Sequence, residues 1–487
     1  MPSASAMSSF VASPLSSPAS VAIIGGGFSG ALLAAELLRR SAGRMRVVLI
    51  ERNSRLGCGV AYGTRCSGHL LNVPAKDMSA FADEQEHFLH WVRSRCNPEA
   101  KGTDFLPRRL YGEYVQSILS SAADRCPGSF AHVEDEAVTL SCQDDLVRLH
   151  LRGGQTHLAD KAVLALGNFP PADLPLVQSI RSSRRYVRDA WEPAALHSIA
   201  PSDEVLLVGS GLTSVDVLIA LRASGHRGKI HFLSRHGLLP NAHQPTAPWP
   251  PLALGKASLT ITELMRKVRM ELVVASIRGY DWRAIIDGLR PATDKIWHSL
   301  PFHERRRFLR HLRPYWEIHR HRIAPRIAAQ LEAEIAAGDV KIHAGRLVEC
   351  REDADRIAVC WRDRRSGLVR QLRVEQVVNC TGPEMNYRRI NSPLIQSLFG
   401  AGLARHDRLS LGLDCADNGA LIGADGTISR ALYAVGPARK GNLWESTAVP
   451  EIRIQVSTLA KALTAELSEG VAGFSSHPTP PNNVTMS

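Results

Sequence analysis

Three glycines and one acid near the start of the chain have the types and the spacing to grip a phosphate. Gly25, Gly27 and Gly30 form a G-x-G-x-x-G turn, and Glu51 follows about 20 residues later. Where such a turn opens a helix, unpaired backbone N–H groups and the positive end of the helix dipole face an anion. The first glycine lets the chain turn sharply, the second leaves room for a pyrophosphate, and the third lets helix and strand pack closely. A carboxylate at the end of the next strand accepts from ribose hydroxyls. A second constellation, Gly209-Ser210-Gly211-Leu212-Thr213-Ser214, repeats the spacing with Ser214 in third place. Serine loosens the packing of helix on strand without blocking the phosphate site.

The elements these residues need flank both turns. Val21 to Ile24 is a short apolar run, Ala31 to Arg40 has helical spacing, and Val47 to Ile50 is β-branched at three of its four positions. This predicts strand, glycine turn, helix, strand: a βαβ unit of about 30 residues. Glu204 to Val208, Thr213 to Ala223 and Lys229 to Leu233 predict a second such unit. The N-terminal position of the first unit, and the presence of the second, favour FAD in the first and the nicotinamide, NAD(P)H, in the second. The strand after the second turn ends Phe232-Leu233-Ser234-Arg235-His236, with no carboxylate where NAD ribose recognition would put one. Arg235 either faces a 2′-phosphate, which favours NADPH, or is a solvated loop arginine. Asp216 is expected to cap or orient its helix turn and not to do chemistry.

Further along, Leu56 to Asp83 has many Gly, Pro and polar residues and is too long for a simple connection, so it reads as a functional loop. Val147 to Leu151 alternates like a strand of a small sheet, and Ala162 to Leu166 reads as a buried strand ending at Gly167. From Gly237 to about Pro325 the spacing becomes helical. Between Arg266 and Arg326 stand 15 Lys and Arg against 6 Asp and Glu, the composition of a lid with solvated faces. Strands resume at Val340 to His343, Ile357 to Trp361, Val374 to Asn379 and Leu432 to Val435, and a helix runs from Pro450 to Leu467. The expected fold class is α/β, with two Rossmann-like dinucleotide-binding domains and a mainly helical insertion. The expected boundaries are a disordered lead-in at 1–19, the first part of the FAD-binding domain at 20–195, and the NAD(P)-binding domain at 196–376 with its insertion at about 240–335. The second part of the FAD-binding domain follows at 377–468, then a disordered tail at 469–487.

The chain carries a formal net charge of +12, which suits either a nucleic-acid partner or anionic cofactors and substrates. No helix-turn-helix spacing, zinc-finger spacing or RNP-like aromatic run accompanies the charge, which argues against nucleic acid. Nine cysteines without a C-x-x-C, and a first twenty residues without Lys or Arg, fit reduced thiols in the cytoplasm and no secretion signal. No apolar run has the length of a membrane span. The histidines from His298 to His321 alternate with arginines that would repel a cation, so no metal is expected. Oligomeric state is left open.

Two dinucleotide motifs in one chain, with Ala165-Leu166-Gly167-Asn168 and Asn379-Cys380-Thr381-Gly382 closing strands, resemble the flavoproteins with two dinucleotide-binding domains over nearly the whole chain. In that family such glycine-ended strands mark crossings between the FAD and NAD(P) domains, which implies cofactor-side positions for Gly167 and Gly382. Its disulfide reductases carry a redox cysteine pair after the ribose acid; here Cys58 and Cys66 have the wrong spacing, so dithiol chemistry is not expected. Three segments are more specific: Gly57 to Tyr62 with His69 to Pro74, Phe105 to Gly112, and Gly436 to Thr447. Together they resemble a bacterial group that includes one type of FAD-dependent urate hydroxylase and an aspartate N-monooxygenase. One departure is Gly436-Pro437, where flavoproteins of this class often place Gly-Asp to hold the ribityl chain. Proline offers neither carboxylate nor N–H, so that contact must come from elsewhere.

The resemblance implies an FAD-dependent, NAD(P)H-using monooxygenase with O2 as co-substrate. Oxygen adding at the flavin C4a gives a hydroperoxide, which passes an electrophilic hydroxyl to a small anionic substrate. Urate, converted to 5-hydroxyisourate in purine catabolism, is the first expectation. N-hydroxylation of an amino acid of aspartate or ornithine type is the alternative. A plain NAD(P)H:acceptor reductase and a flavin-binding redox sensor without turnover are rivals, and two intact dinucleotide motifs argue against the sensor. Gly59, Gly436 and Asn442 are candidates beside the flavin, the last two offering N–H groups to its carbonyl edge. Three further residues are catalytic candidates. Asn72 either bonds the ring or is an Asx-turn residue before Pro74. Arg108, with its neighbour Arg109, either grips an anion or is solvated surface. Trp444 either walls the substrate pocket or is a core tryptophan.

Overall fold

A computed structural model describes residues 18–143, 146–252 and 260–473. Two mostly parallel sheets organise it. The first runs, edge to edge, Ala420–Ile422, Ile428–Ala434, Lys161–Leu164, Ser20–Ile24, Arg46–Ile50, Phe130–Val133, with only the edge strand Ala420–Ile422 antiparallel. Its central strands are apolar runs because both faces are covered. The helix Phe28–Ser41 lies on one face and is almost wholly buried as far as Leu38, with Glu36 paired to Arg39 and Arg40 of its last turn. Leu32, Leu33, Leu37 and Leu38 are at most 1% exposed, each contributing about 2 kcal/mol of burial. Helices Arg108–Asp124 and Val449–Gly473 pack against it.

The second sheet runs Val369–Val374, Arg356–Asp363, Val340–Asp353, Ile230–Ser234, Val205–Val208, Gln376–Asn379, Tyr186–Val187. Its first three strands form an antiparallel ribbon, and the others are parallel. A separate antiparallel sheet of Ala137–Gln143, Leu146–Leu151 and Thr156–Ala159 flanks the first unit. The expected α/β architecture with two dinucleotide-binding units is therefore the observed one.

Several boundaries differ from expectation. Gln376–Asn379 and Tyr186–Val187 pair in the second sheet, so the second unit reaches from about 186 to 379 and exceeds the expected 196–376. The expected strand from Val374 to Asn379 is split between the antiparallel ribbon and the parallel sheet. Helix Pro325–Ala337 buries Ile327, Ala328 and Leu331 against Val205 and Leu207, so it belongs to the second unit and not to the insertion. The insertion proper comprises the helices from Ile261 to Arg320. Its core of Ile261, Leu289, Ile296, Trp297 and Leu300 closes on Leu411 and Trp444 of the first unit. The last helix continues to Gly473, past the expected limit at 468. Apart from residues 18–19 and 469–473, the expected lead-in and tail lie outside the described residues.

Candidate functional site

The two glycine turns are built alike. Gly25 has φ +104°, and a methyl group added there would lie 2.4 Å from the Ala165 carbonyl oxygen. Gly209 has φ +129°, and its methyl would lie 2.3 Å from the Cys380 carbonyl oxygen. Each first glycine thus lets a strand turn tightly beneath the crossing segment between the units. The two crossings themselves touch through an antiparallel bridge between Phe169 and Glu384. Gly167 (φ +65°) and Gly382 (φ +87°) follow them with open space around the Cβ position.

Gly30 packs tightest, since an added methyl would meet the Gly25 carbonyl oxygen at 1.9 Å. Gly27 caps the helix Phe28–Ser41 without a side-chain hydrogen bond, and its Cβ position lies 3.5 Å from the Gly59 Cα. The cleft above that helix end is consequently walled by bare backbone from two glycines. Glu51 is held over the turn: one carboxylate oxygen accepts from the Gly26 N–H at 2.7 Å, the other from the Asn53 N–H at 3.0 Å and its side-chain amide at 2.9 Å. Uncapped N–H groups, a cradle that side chains would fill, and a carboxylate at its rim fit a dinucleotide. Gly436 (φ +80°) adjoins the same helix end, where an added methyl would lie 2.7 Å from Ser29 Oγ. Its N–H donates to Gln455 Oε1 at 3.0 Å. Ser29 and Gln455 thus supply polar groups beside the proline that replaces the usual acid.

In the second unit Gly211 caps helix Leu212–Ala223, again without a side-chain bond and with nothing near its Cβ position. Ser214 is fully buried in third place. Arg235 is exposed at the end of strand Ile230–Ser234. Burial lowers the pKa of neighbouring His236, as do the positive charges of Arg364, Arg235 and Arg346. The charges of Arg235, Arg346 and Arg364 therefore all act on His236 at the end of that strand. Sequence reasoning found only the first of them, because Arg346 and Arg364 come from the distant strands of the ribbon.

Arg108 is a clamp between the units. Its guanidinium gives Asp216 two hydrogen bonds, at 2.8 and 2.9 Å, and a third to the Leu70 carbonyl at 2.9 Å. The chemistry expected of Arg108 is thereby corrected to a positioning role, and Asp216 orients the helix by receiving it. His69 donates from Nε2 to the Asp216 carbonyl at 2.8 Å, and its Nδ1 meets the Thr64 hydroxyl at 2.7 Å. Arg109 points to solvent beside Glu113. The Asx-turn at Asn72 does not form. Its carbonyl accepts from His243 Nε2 at 2.8 Å, and its amide lines a small interdomain cavity with Arg108.

The C-terminal loop departs most from expectation. Trp444 is 4% exposed, stacked on Trp297 at 5.0 Å and edge-on to Phe308 at 5.0 Å, so it is a core tryptophan and not an open pocket wall. Its backbone is strained, with φ +61° and ψ −58°, closed by Glu445 N–H on the Leu443 carbonyl at 2.7 Å. This is a γ-turn of the rare positive-φ kind. Asn442 commits its side-chain oxygen to buried Arg439 at 3.1 Å, which holds the loop. Helix Val449–Gly473 follows this loop, and its second residue, Pro450, has no N–H to leave unsatisfied at the helix start. A broad groove of about 780 Å³ lies elsewhere, between helices Ile261–Ile277 and Phe302–His311, and none of the expected site residues lines it. Among the described residues no group of His, Cys, Asp and Glu could hold a metal, all nine cysteines are free, and no helix is long and apolar enough to cross a membrane.

Comparison with known proteins agrees with this geometry. Residues 22–169 match a family described as FAD-NAD(P)-binding. Uncharacterized proteins of Mycobacterium tuberculosis and Mycobacterium bovis are 24% identical over 87% of this chain and 90% of their own length. Among solved structures, the FAD-bound cadaverine monooxygenase of desferrioxamine biosynthesis from Erwinia amylovora is similar at TM-score 0.62 and 14% identity, over 92% of this chain and 94% of that one. The ornithine N-hydroxylase of a Kutzneria species has TM-score 0.60 and 12% identity, covering 92% and 99%. The L-lysine 6-monooxygenase of Pseudomonas syringae has TM-score 0.60 and 15% identity, covering 93% and 100%. At such identities the likeness establishes the fold.

Proposed function

We propose that the chain is an FAD-dependent, NAD(P)H-using monooxygenase that hydroxylates the nitrogen of a small amine. The observation that carries this reading is the duplicated cradle: Gly25 and Gly209 turn under opposite crossings, and Arg108 on Asp216 locks the two units together. A flavin and a nicotinamide must be presented to each other for such a reaction, and a sensor or a single-cofactor binder needs only one cradle. The net reaction consumes NAD(P)H, O2, a proton and R-NH2, and yields NAD(P)+, R-NHOH and water. The choice of an amine rests on the ornithine, lysine and cadaverine hydroxylases among the structural neighbours. Urate, the first expectation from the sequence, has no counterpart among them, and an amine takes its place.

FAD, when bound, supplies the redox chemistry and the activation of O2. The chain's own residues have separable tasks. Gly27, Gly59 and the helix end at Phe28 hold the pyrophosphate, and Glu51 holds the ribose. Gly209, Gly211 and the end of helix Leu212–Ala223 hold the second dinucleotide, with Arg235, Arg346 and Arg364 on its 2′-phosphate. The N-terminus of Val449–Gly473 would offer the positive end of its dipole to the flavin edge where negative charge collects. Trp297, Phe308 and Trp444 keep water from that side. The test is to follow NAD(P)H and O2 consumption by FAD-loaded protein with lysine, ornithine, cadaverine, aspartate and urate, while assaying hydroxylamine. Amine-stimulated consumption coupled to hydroxylamine supports the reading. Oxidation only with an artificial electron acceptor would replace it with a reductase, and coupled consumption with urate would restore the first expectation.

A further inference from the structure

One cation in the polar layer between the helical insertion and the C-terminal loop is out of balance. Arg290 meets Glu451 at 2.6 Å, Arg320 meets Glu451 at 3.1 Å, Arg313 meets Glu317 at 2.7 Å, and Arg322 is paired with Asp287. Lys440 is only 7% exposed, yet among the described residues its ammonium makes no hydrogen bond and no ion pair. Its one close partner is the face of the Trp444 ring, 4.9 Å away. The nearby carboxylates are already engaged, Glu317 by Arg313 and Glu445 by Trp316 Nε1 at 3.0 Å and Arg320 at 3.7 Å.

Burying an ammonium is costly unless hydrogen bonds and an opposite charge compensate it. An indole face offsets part of that cost but accepts none of the three N–H bonds. Burial, then the charge of Arg313, press the Lys440 pKa down, and Glu317 and Glu445 work against them. An anion with oxygen acceptors would supply both the opposite charge and the hydrogen bonds that the ring cannot. Its position matters too. Lys440 lies in the loop between Gly436, which touches the pyrophosphate helix at Ser29, and the start of helix Val449–Gly473. The ring beneath the ammonium is itself held, stacked on Trp297 and set by the γ-turn.

We propose that Lys440, backed by Trp444, is the subsite for the carboxylate of the substrate, so that the protein prefers amino acids to the corresponding plain amines. This rests on the monooxygenase reading for the nature of the substrate, but carboxylate binding can be measured without turnover. The probes are matched pairs that differ by one carboxylate: L-lysine and cadaverine, L-ornithine and putrescine, L-aspartate and β-alanine. Binding of each to FAD-loaded protein is measured by anaerobic titration calorimetry without NAD(P)H, for the wild type, K440M, K440Q and K440R. Flavin content and melting temperature identify any variant that has not folded. The wild type is expected to favour the carboxylate-bearing member of at least one pair. K440M and K440Q should erase that preference by weakening the amino acid on the order of 10- to 100-fold, and K440R should restore part of it. A wild type with no preference in any pair, or a K440M and K440Q that keep it, would overturn the proposal. Amine hydroxylation that proceeds with unchanged KM for amino acids in K440M removes the subsite and leaves the monooxygenase reading. Lysine-dependent carboxylate binding without any hydroxylation does the reverse.

Discussion

Arg108 and Asp216 meet fork to fork across the two dinucleotide units, with parallel hydrogen bonds of 2.8 and 2.9 Å. Their side chains are 14% and 12% exposed, so neither end can be solvated if the other is removed. R108A and D216A should each destabilise the protein by about 3 kcal/mol. The double variant should lose less than the sum, leaving a coupling of about 1–3 kcal/mol in a urea-unfolding cycle. Additive losses would show that the pair is decorative. The clamp also orients the helix behind the second cradle, so both single variants should retain flavin yet be reduced more slowly by NAD(P)H.

The glycines of the first turn should separate folding from flavin binding. A methyl at Gly30 collides with the Gly25 carbonyl oxygen at 1.9 Å, whereas one at Gly27 reaches only the Gly59 Cα at 3.5 Å. G30A should therefore lower the melting temperature or abolish soluble expression. G27V should fold with a melting temperature close to that of the flavin-free wild type, and purify without the yellow flavin absorbance. A G27V protein that remains yellow would remove the pyrophosphate from that cleft.

Much of this site was legible in the sequence because its signals are local. The strand, turn and helix around Gly25 lie within about 30 residues, and the same pattern at Gly209 needs no tertiary knowledge. Arg108 was singled out, but its partner lies across the domain interface, and nothing in the spacing of either segment reveals the pairing. Trp444 read equally as pocket wall or core, since a single indole carries no periodicity. Only the fold brings Trp297 and Phe308 from the insertion onto it. Boundaries failed where one strand serves a neighbour out of sequence, as Gln376–Asn379 does beside Val205–Val208. Lys440 stood inside the segment that carried the family resemblance. Its significance is its lack of an ion pair, a property that no sequence pattern expresses.

The arginine cluster should set the choice of nicotinamide. Arg235 is exposed at its strand end, and the charges of Arg346 and Arg364 act from the ribbon on its neighbour His236. A charge-assisted contact to phosphate contributes about 1.5–3 kcal/mol. R235A and R364A should therefore raise the KM for NADPH on the order of tenfold or more while leaving that for NADH within about twofold. The effect should shrink at high salt, because exposed charges are screened. Equal changes for both nucleotides would place these arginines on the shared part of the dinucleotide.

Stability should fall between pH 6.5 and 4 through two half-buried histidines. Burial, and then Arg322, lower the His243 pKa from its ordinary 6.5 to about 4. Burial, and then His231, do the same for His343. In this window the unfolded chain takes up protons that the folded chain refuses, so unfolding gains with acid, and the loss is complete near pH 4. Asp294 works in the opposite sense. Burial, Glu451 and Glu445 raise its carboxyl from 3.8 to about 6, so the folded chain binds that proton first and gains stability as pH falls from 6 to 3.8. H243N and H343N should thus flatten the pH profile of urea unfolding. D294N should be more stable than the wild type at pH 7.5, where it removes a negative charge that faces Glu451 and Glu445, and should lose stability more steeply on the way to pH 4. A D294N protein that is weaker at pH 7.5 would mean that the ionised carboxylate contributes to the polar layer around Glu451, and the sign of its contribution would have to be reversed.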